Sequence, residues 1–82
     1  MAVMIDSDAL AELEGKAEAA YAAMYDARPY SVKDCYEDSC LYFHRAIEVA
    51  QRAGLADEAA RLRQRVEHVG KVYNNQFRGV GR

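Results

Sequence analysis

The chain has 82 residues, 51% of them hydrophobic, with 13 acids against 11 bases and a formal charge of −2. That length makes one small domain, able to bury roughly 60% of its unfolded surface. The hydrophobic content excludes a disordered chain, and the formal charge of −2 is too small to imply a partner by itself, since a nucleic-acid footprint normally needs a strongly basic domain.

No apolar run approaches the roughly 18 residues of a membrane span. The opening MAVMIDSD has no basic region ahead of a hydrophobic core, so it is not a secretory signal and a cytoplasmic protein with reduced thiols is expected. Fifteen alanines, and eight arginines against three lysines, fit a GC-rich bacterial gene. Charge is unevenly spread: six acids and one base lie in Met1–Ala27, three acids and six bases in Gly54–Arg82. First and last helices that lie side by side would complement each other.

The first predicted helix covers residues 7–27. Asp and Ser between Asp6 and Asp8 can cap its first turn, where negative charge also suits the helix dipole. Leu10, Leu13, Ala17, Ala20 or Tyr21, and Met24 step by fours and threes along an inward stripe. Gly15 is either an exposed imperfection or a point of close contact, at a cost of about 1 kcal/mol relative to alanine. Glu12 and Lys16 form an i,i+4 pair in the favourable order. Arg28-Pro29 ends this helix, because proline disfavours helical geometry in the residue before it.

The second helix, residues 31–53, organises the chain. Ser31 is its expected cap, Asp34 completes a short-chain capping box, and Tyr30 and Cys35 occupy the positions of a hydrophobic staple. Val32, Tyr36, Ser39, Phe43, Ala46, Ala50 and Ala53 form one stripe, with Cys35, Tyr42 and Val49 beside it and Cys40 and Ile47 on the other flank. A face this wide belongs to a helix packed against two neighbours. Gly54 supplies the left-handed stop, and Leu55 can fold back on Ala50.

The third helix, residues 56–75, opens with Asp57 and Glu58. Its stripe is Leu55, Ala59, Leu62, Val66, Val69, Tyr73 and then Gln76 or Phe77, while Arg61, Arg63, Arg65 and Lys71 fall mostly off it and are expected in solvent. Asn74-Asn75 loosens its end. Short connections make neighbouring helices antiparallel. The predicted fold is therefore all-α, an antiparallel up-down-up three-helix bundle, one domain over residues 1–77 followed by a flexible tail at 78–82.

Phe43-His-Arg-Ala46-Ile47-Glu-Val-Ala50 followed by Gly54-Leu-Ala-Asp-Glu-Ala59 resembles the junction between tetratricopeptide repeats. Ser39 stands where that family prefers alanine, the inter-repeat proline is missing, and one unit is present where stacking needs three or more. The three-helix organisation is also similar to small microtubule-interacting-and-trafficking-type bundles. Both resemblances imply a peptide- or protein-binding surface and no catalysis.

Little chemistry is spelled out. Cys35 and Cys40, five apart on one helix, point away from each other and lie too far apart to bridge. Glu37, Cys40, His44 and Glu48 form one helical row in which a thiol and an imidazole sit at i,i+4. With His68 as the only other histidine, the metal candidates are Cys40, His44 and His68, too few for an expected site, and no cofactor motif occurs. Cys40 and His44 lack the context of a nucleophile and base, so no enzyme is expected.

Six of the eight aromatics are tyrosines, and Tyr25, Tyr30 and Tyr42 are expected at the surface as interface residues. The expected role is protein–protein contact, first of all self-association as a homodimer. The alternatives are a small metal- or ligand-binding bundle using Cys40, His44 and His68, and a nucleic-acid accessory using Arg61, Arg63, Arg65, Arg78 and Arg82.

Overall fold

The chain folds into three helices joined by tight turns, seen in a computed structural model that describes residues 2–77, with side chains from Asp8 onward. Helix α1 spans Ala2–Asp26, α2 spans Val32–Arg52 and α3 spans Ala56–Val72, with a 3-10 turn at Pro29–Ser31 and a π-helical turn at Tyr73–Phe77. The result is the expected all-α up-down-up bundle. Helix α2 makes the close backbone contacts to both neighbours, as its wide apolar face requires, whereas α1 and α3 meet through long side chains.

The stripes read from the sequence become the core. Leu10, Ala17 and Met24 of α1 bury against Val32, Phe43, Ala46, Val49 and Ala50 of α2 and Ala59, Leu62 and Val69 of α3. Phe43 is fully buried at the centre, a contribution of about 2–3 kcal/mol from removing its ring from water. Ser39 is the one buried polar residue among those described, and its hydroxyl donates to the Ala17 carbonyl at 2.9 Å, stapling α1 to α2. Of the two candidates at the end of the α3 stripe, Phe77 packs and Gln76 is exposed. Leu55, placed on that stripe, is 38% exposed instead, because it serves as the N-cap residue of α3 with non-helical backbone (φ −93°, ψ 72°).

The turn between α2 and α3 is the best-specified local feature. Gly54 has φ +74°, its N–H donates to the Gln51 carbonyl at 3.1 Å, and the Leu55 N–H donates to the Ala50 carbonyl at 2.8 Å. These two bonds define a Schellman stop, which satisfies carbonyls that the helix end leaves without partners.

Other boundaries moved. Helix α1 starts at Ala2, so Asp6 and Asp8 lie inside it rather than capping it. A side-chain cap contributes only about 1 kcal/mol, and the longer helix matches its partner. Ser39 lies level with Ala17, so in an antiparallel pair position 4 lies level with Arg52, the last residue of α2. Ser31 does precede α2, but its side chain makes no capping bond. The 3-10 turn gives Ser31 helical backbone (φ −101°, ψ −9°) instead of the extended geometry that aims a capping hydroxyl. Helix α3 stops at Val72, not 75, and Asn74 and Asn75 sit in the π-helical turn. Gly15 is an exposed imperfection, since a methyl group there would touch nothing within 4 Å. The tail predicted at 78–82 lies outside the described residues.

Candidate functional site

Rotation of the helices divides the surface into a closed flank and an open one. On the closed flank, α1 presents Glu14, Glu18, Tyr21 and Tyr25, each three or four residues after the last, to the facing edge of α3. Arg61 donates twice to Glu14, at 2.6 and 2.8 Å, and once to Glu58 at 2.6 Å. One turn on, Arg65 donates twice to Glu18, at 2.8 and 2.7 Å, and lies 5.4 Å from the centre of the Tyr21 ring. The Arg61 guanidinium holds the Glu14 carboxyl below its ordinary range, and the same bonds raise the affinity of Arg61 for its proton.

The ladder continues in aromatics. Tyr21 stands edge-on to His68 and to Tyr25, with its hydroxyl 3.4 Å from His68 Nε2 and 3.3 Å from the Tyr25 hydroxyl. The neighbouring phenol, and then burial, push the Tyr21 pKa up. Phe77 closes the row edge-on to Tyr25 at 5.1 Å between centres. Arg61 and Arg65 are therefore not simply solvated. Two of the five arginines considered for nucleic acid are occupied by glutamates, and Arg78 and Arg82 lie outside the described residues.

On the open flank, α2 and α3 diverge into a groove of about 470 Å³ lined by His44, Ile47, Glu48, Arg63 and Val66. Ile47 and Val66 are half-buried and make its apolar floor, whereas His44 and Glu48 stand exposed on the α2 bank and Arg63 on the α3 bank. Arg63 also borders a second depression of about 260 Å³ with Gln51, Gly54, Ala56 and Ala59, so the groove continues to the α2–α3 turn. Beyond its other end, Tyr36 stacks on Tyr73 with ring centres 4.1 Å apart. Cys40 lies beside Tyr36, where burial raises its thiol pKa and the Tyr36 hydroxyl opposes the shift. A thiol held in its neutral form is a poor nucleophile and a poor metal ligand.

The residues singled out in the sequence are thus spread over the molecule. Cys40 adjoins Tyr36, His44 lines the open groove and His68 faces Tyr21 on the closed flank, so the three metal candidates do not converge. Among the described residues no three His, Cys, Asp or Glu side chains come together as a metal site. Cys35 and Cys40 are both free thiols.

The three tyrosines do not share one patch. Tyr30 is 72% exposed and Tyr25 53%, but Tyr42 is half-buried against α1, with the Lys16 ammonium 5.8 Å from its ring centre. Lys16 and Tyr25 are nine residues apart on α1, about 13 Å along the axis. Tyr42 therefore belongs to the α1–α2 seam. Leu41, 46% exposed on the outer face of α2, was not among the sequence candidates.

The pairing of α1 with α3 had a signal in the sequence. Glu14 and Glu18 are spaced by four, as are Arg61 and Arg65, which is how two rows on parallel neighbouring helices meet. No described helix is long and apolar enough to cross a membrane. Comparison of the chain with protein-family models, curated proteins and solved structures finds no match.

Proposed function

We propose that this chain works through protein–protein contact and that its first partner is a second copy of itself. The supporting observation is apolar surface that one chain does not cover. Ile47 and Val66 line an open groove, and Tyr30, Tyr25 and Leu41 stand between 46% and 72% exposed. Single exposed apolar residues are ordinary on any protein surface. Here Ile47 and Val66 stay half-buried along an open groove between α2 and α3, in a chain with little core to spare. Light scattering over a concentration series, with reductant present to keep Cys40 reduced, tests the reading. The expected mass is twice the 9.2 kDa of one chain. A monomer at every concentration refutes it.

The same groove favours a second reading, a small-ligand bundle. An apolar floor with a few polar groups at its edge is the usual make-up of a small-molecule site, and His44, Glu48 and Arg63 supply those groups. A ligand that binds the folded groove raises the melting temperature, by an amount that grows with the logarithm of its concentration above Kd. Zn²⁺ binding through Cys40, His44 and His68 has weaker support, because those side chains stand apart.

A further inference from the structure

The closed and open flanks differ in one telling respect. Of the three arginines on α3, Arg61 and Arg65 are each clamped by glutamates, whereas Arg63 has no carboxylate within ion-pair distance among the described residues. Glu48, on the opposite bank of the groove, likewise has no described cationic partner. One acid and one base thus flank a strip of Ile47 and Val66 in the same groove, within one helical turn of each other along the bundle. Within one chain they stand apart on either side of the apolar floor.

We infer that two copies of this chain meet groove to groove, about a two-fold axis parallel to the helices, with Glu48 of each copy facing Arg63 of the other. The inference rests on self-association and names its surface. Symmetry selects the arrangement. An isologous interface must present a patch that complements itself. A two-fold along the helix axes exchanges the banks, so α2 of one copy lies against α3 of the other, and Glu48 and Arg63 meet twice. A two-fold across the helices would place α2 on α2 and Glu48 near its own equivalent, a like-charge contact.

Either axis keeps every neighbouring pair antiparallel, so the charges make the choice between them. Helices α2 and α3 are antiparallel within a chain, and rotation about their own direction does not reverse them. The product is a four-helix core of α2 and α3 from both copies, with Ile47 and Val66 of each copy filling the groove between the banks. This is the ordinary four-helix solution to an apolar stripe left over on a helical hairpin. The tyrosine end is a poorer choice of surface, since Tyr25 already stands edge-on to both Phe77 and Tyr21.

Charge reversal tests the pairing. Both side chains are exposed, so Glu48→Arg and Arg63→Glu should fold, and far-UV circular dichroism checks that they do. Each single reversal converts two complementary contacts into two like-charge contacts and should weaken the dimer at least about tenfold by sedimentation equilibrium. The double variant Glu48→Arg/Arg63→Glu should restore the wild-type constant to within a few-fold, and Tyr30→Ser should leave it unchanged. A dimer indifferent to the single reversals, or not restored by the double one, overturns the groove pairing while self-association stands. A wild-type protein that is monomeric throughout overturns self-association itself.

Discussion

The ion-pair seam between α1 and α3 makes a demand that surface salt bridges seldom meet: it must hold together two helices whose backbones do not approach closely. Consider Glu14→Gln, Arg61→Gln and the double variant. Two unit charges about 4 Å apart attract by about 1 kcal/mol in bulk water and about 4 kcal/mol at the effective dielectric of a protein surface. The side chains of Glu14 and Arg61 remain 25% and 44% exposed. Screening and the entropy of fixing two long side chains therefore reduce the gain toward the 0.2–1 kcal/mol typical of exposed pairs. The fork-to-fork geometry, with two bonds of 2.6 and 2.8 Å, places this pair at the upper end, about 0.7–1 kcal/mol of coupling.

Thermal and urea unfolding by circular dichroism at pH 7, completed as a double-mutant cycle, measure that coupling. In a domain of this size about 1 kcal/mol moves the melting temperature by about 4–8 °C. Protein concentration must be held fixed, because the proposed self-association would make melting concentration-dependent. Arg61→Gln alone should cost more than Glu14→Gln, since it also releases Glu58. At 1 M salt, where the screening length is about 3 Å, the coupling should shrink markedly. A coupling below about 0.2 kcal/mol at low salt, or one indifferent to salt, would show that aromatic and core contacts hold the seam and the ion pairs only decorate it.

Two further outcomes are expected. Acid should loosen the same seam: a carboxyl whose folded pKa is depressed gives its full stabilisation above its unfolded value and loses it as pH falls through the folded value. Melting should therefore decline below about pH 4.5, and Glu14→Gln should flatten part of that decline; an unchanged acid limb in the variant would contradict the assignment. Glycine-to-alanine changes should have opposite signs at two sites where the added methyl meets nothing within 4 Å. Gly15→Ala should stabilise by about 0.5–1 kcal/mol by favouring helix, and Gly54→Ala should destabilise by about 1–2 kcal/mol because its backbone is left-handed. Thermal melts of the two variants decide, and shifts of the same sign would sink the argument.

What could be read from the sequence was local or periodic. The Schellman stop at Gly54 needs only neighbouring residues, and the stripes through Leu10, Phe43 and Leu62 need only the helical period. What could not be read depends on how each helix is rotated about its axis. Ser31 looked like a capping residue, yet the 3-10 turn that fixes its backbone is set by how the chain enters α2. Tyr42 was expected at the surface, but it stands half-buried at the α1–α2 seam, with the Lys16 ammonium 5.8 Å from its ring centre. Leu41 lies opposite the core and belonged to no stripe. Charge asymmetry between the ends of the chain did foretell that α1 and α3 would complement each other, although it could not say which arginines would be used.

That last point separates three residues that composition treats alike. Arg61, Arg63 and Arg65 alternate along α3, and a helix turns about 200° over two residues, so the middle one must face away from the other two. Leu62 and Val69, fully buried, fix the rotation that sends Arg61 and Arg65 to the glutamates of α1. The same rotation puts Arg63 on the far bank, over Ile47 and Val66 and across from Glu48. Packing that closes one flank therefore exposes on the other an apolar strip with an acid on one side and a base on the other. Within a single chain that strip is left open; the proposed two-fold copy would complete it.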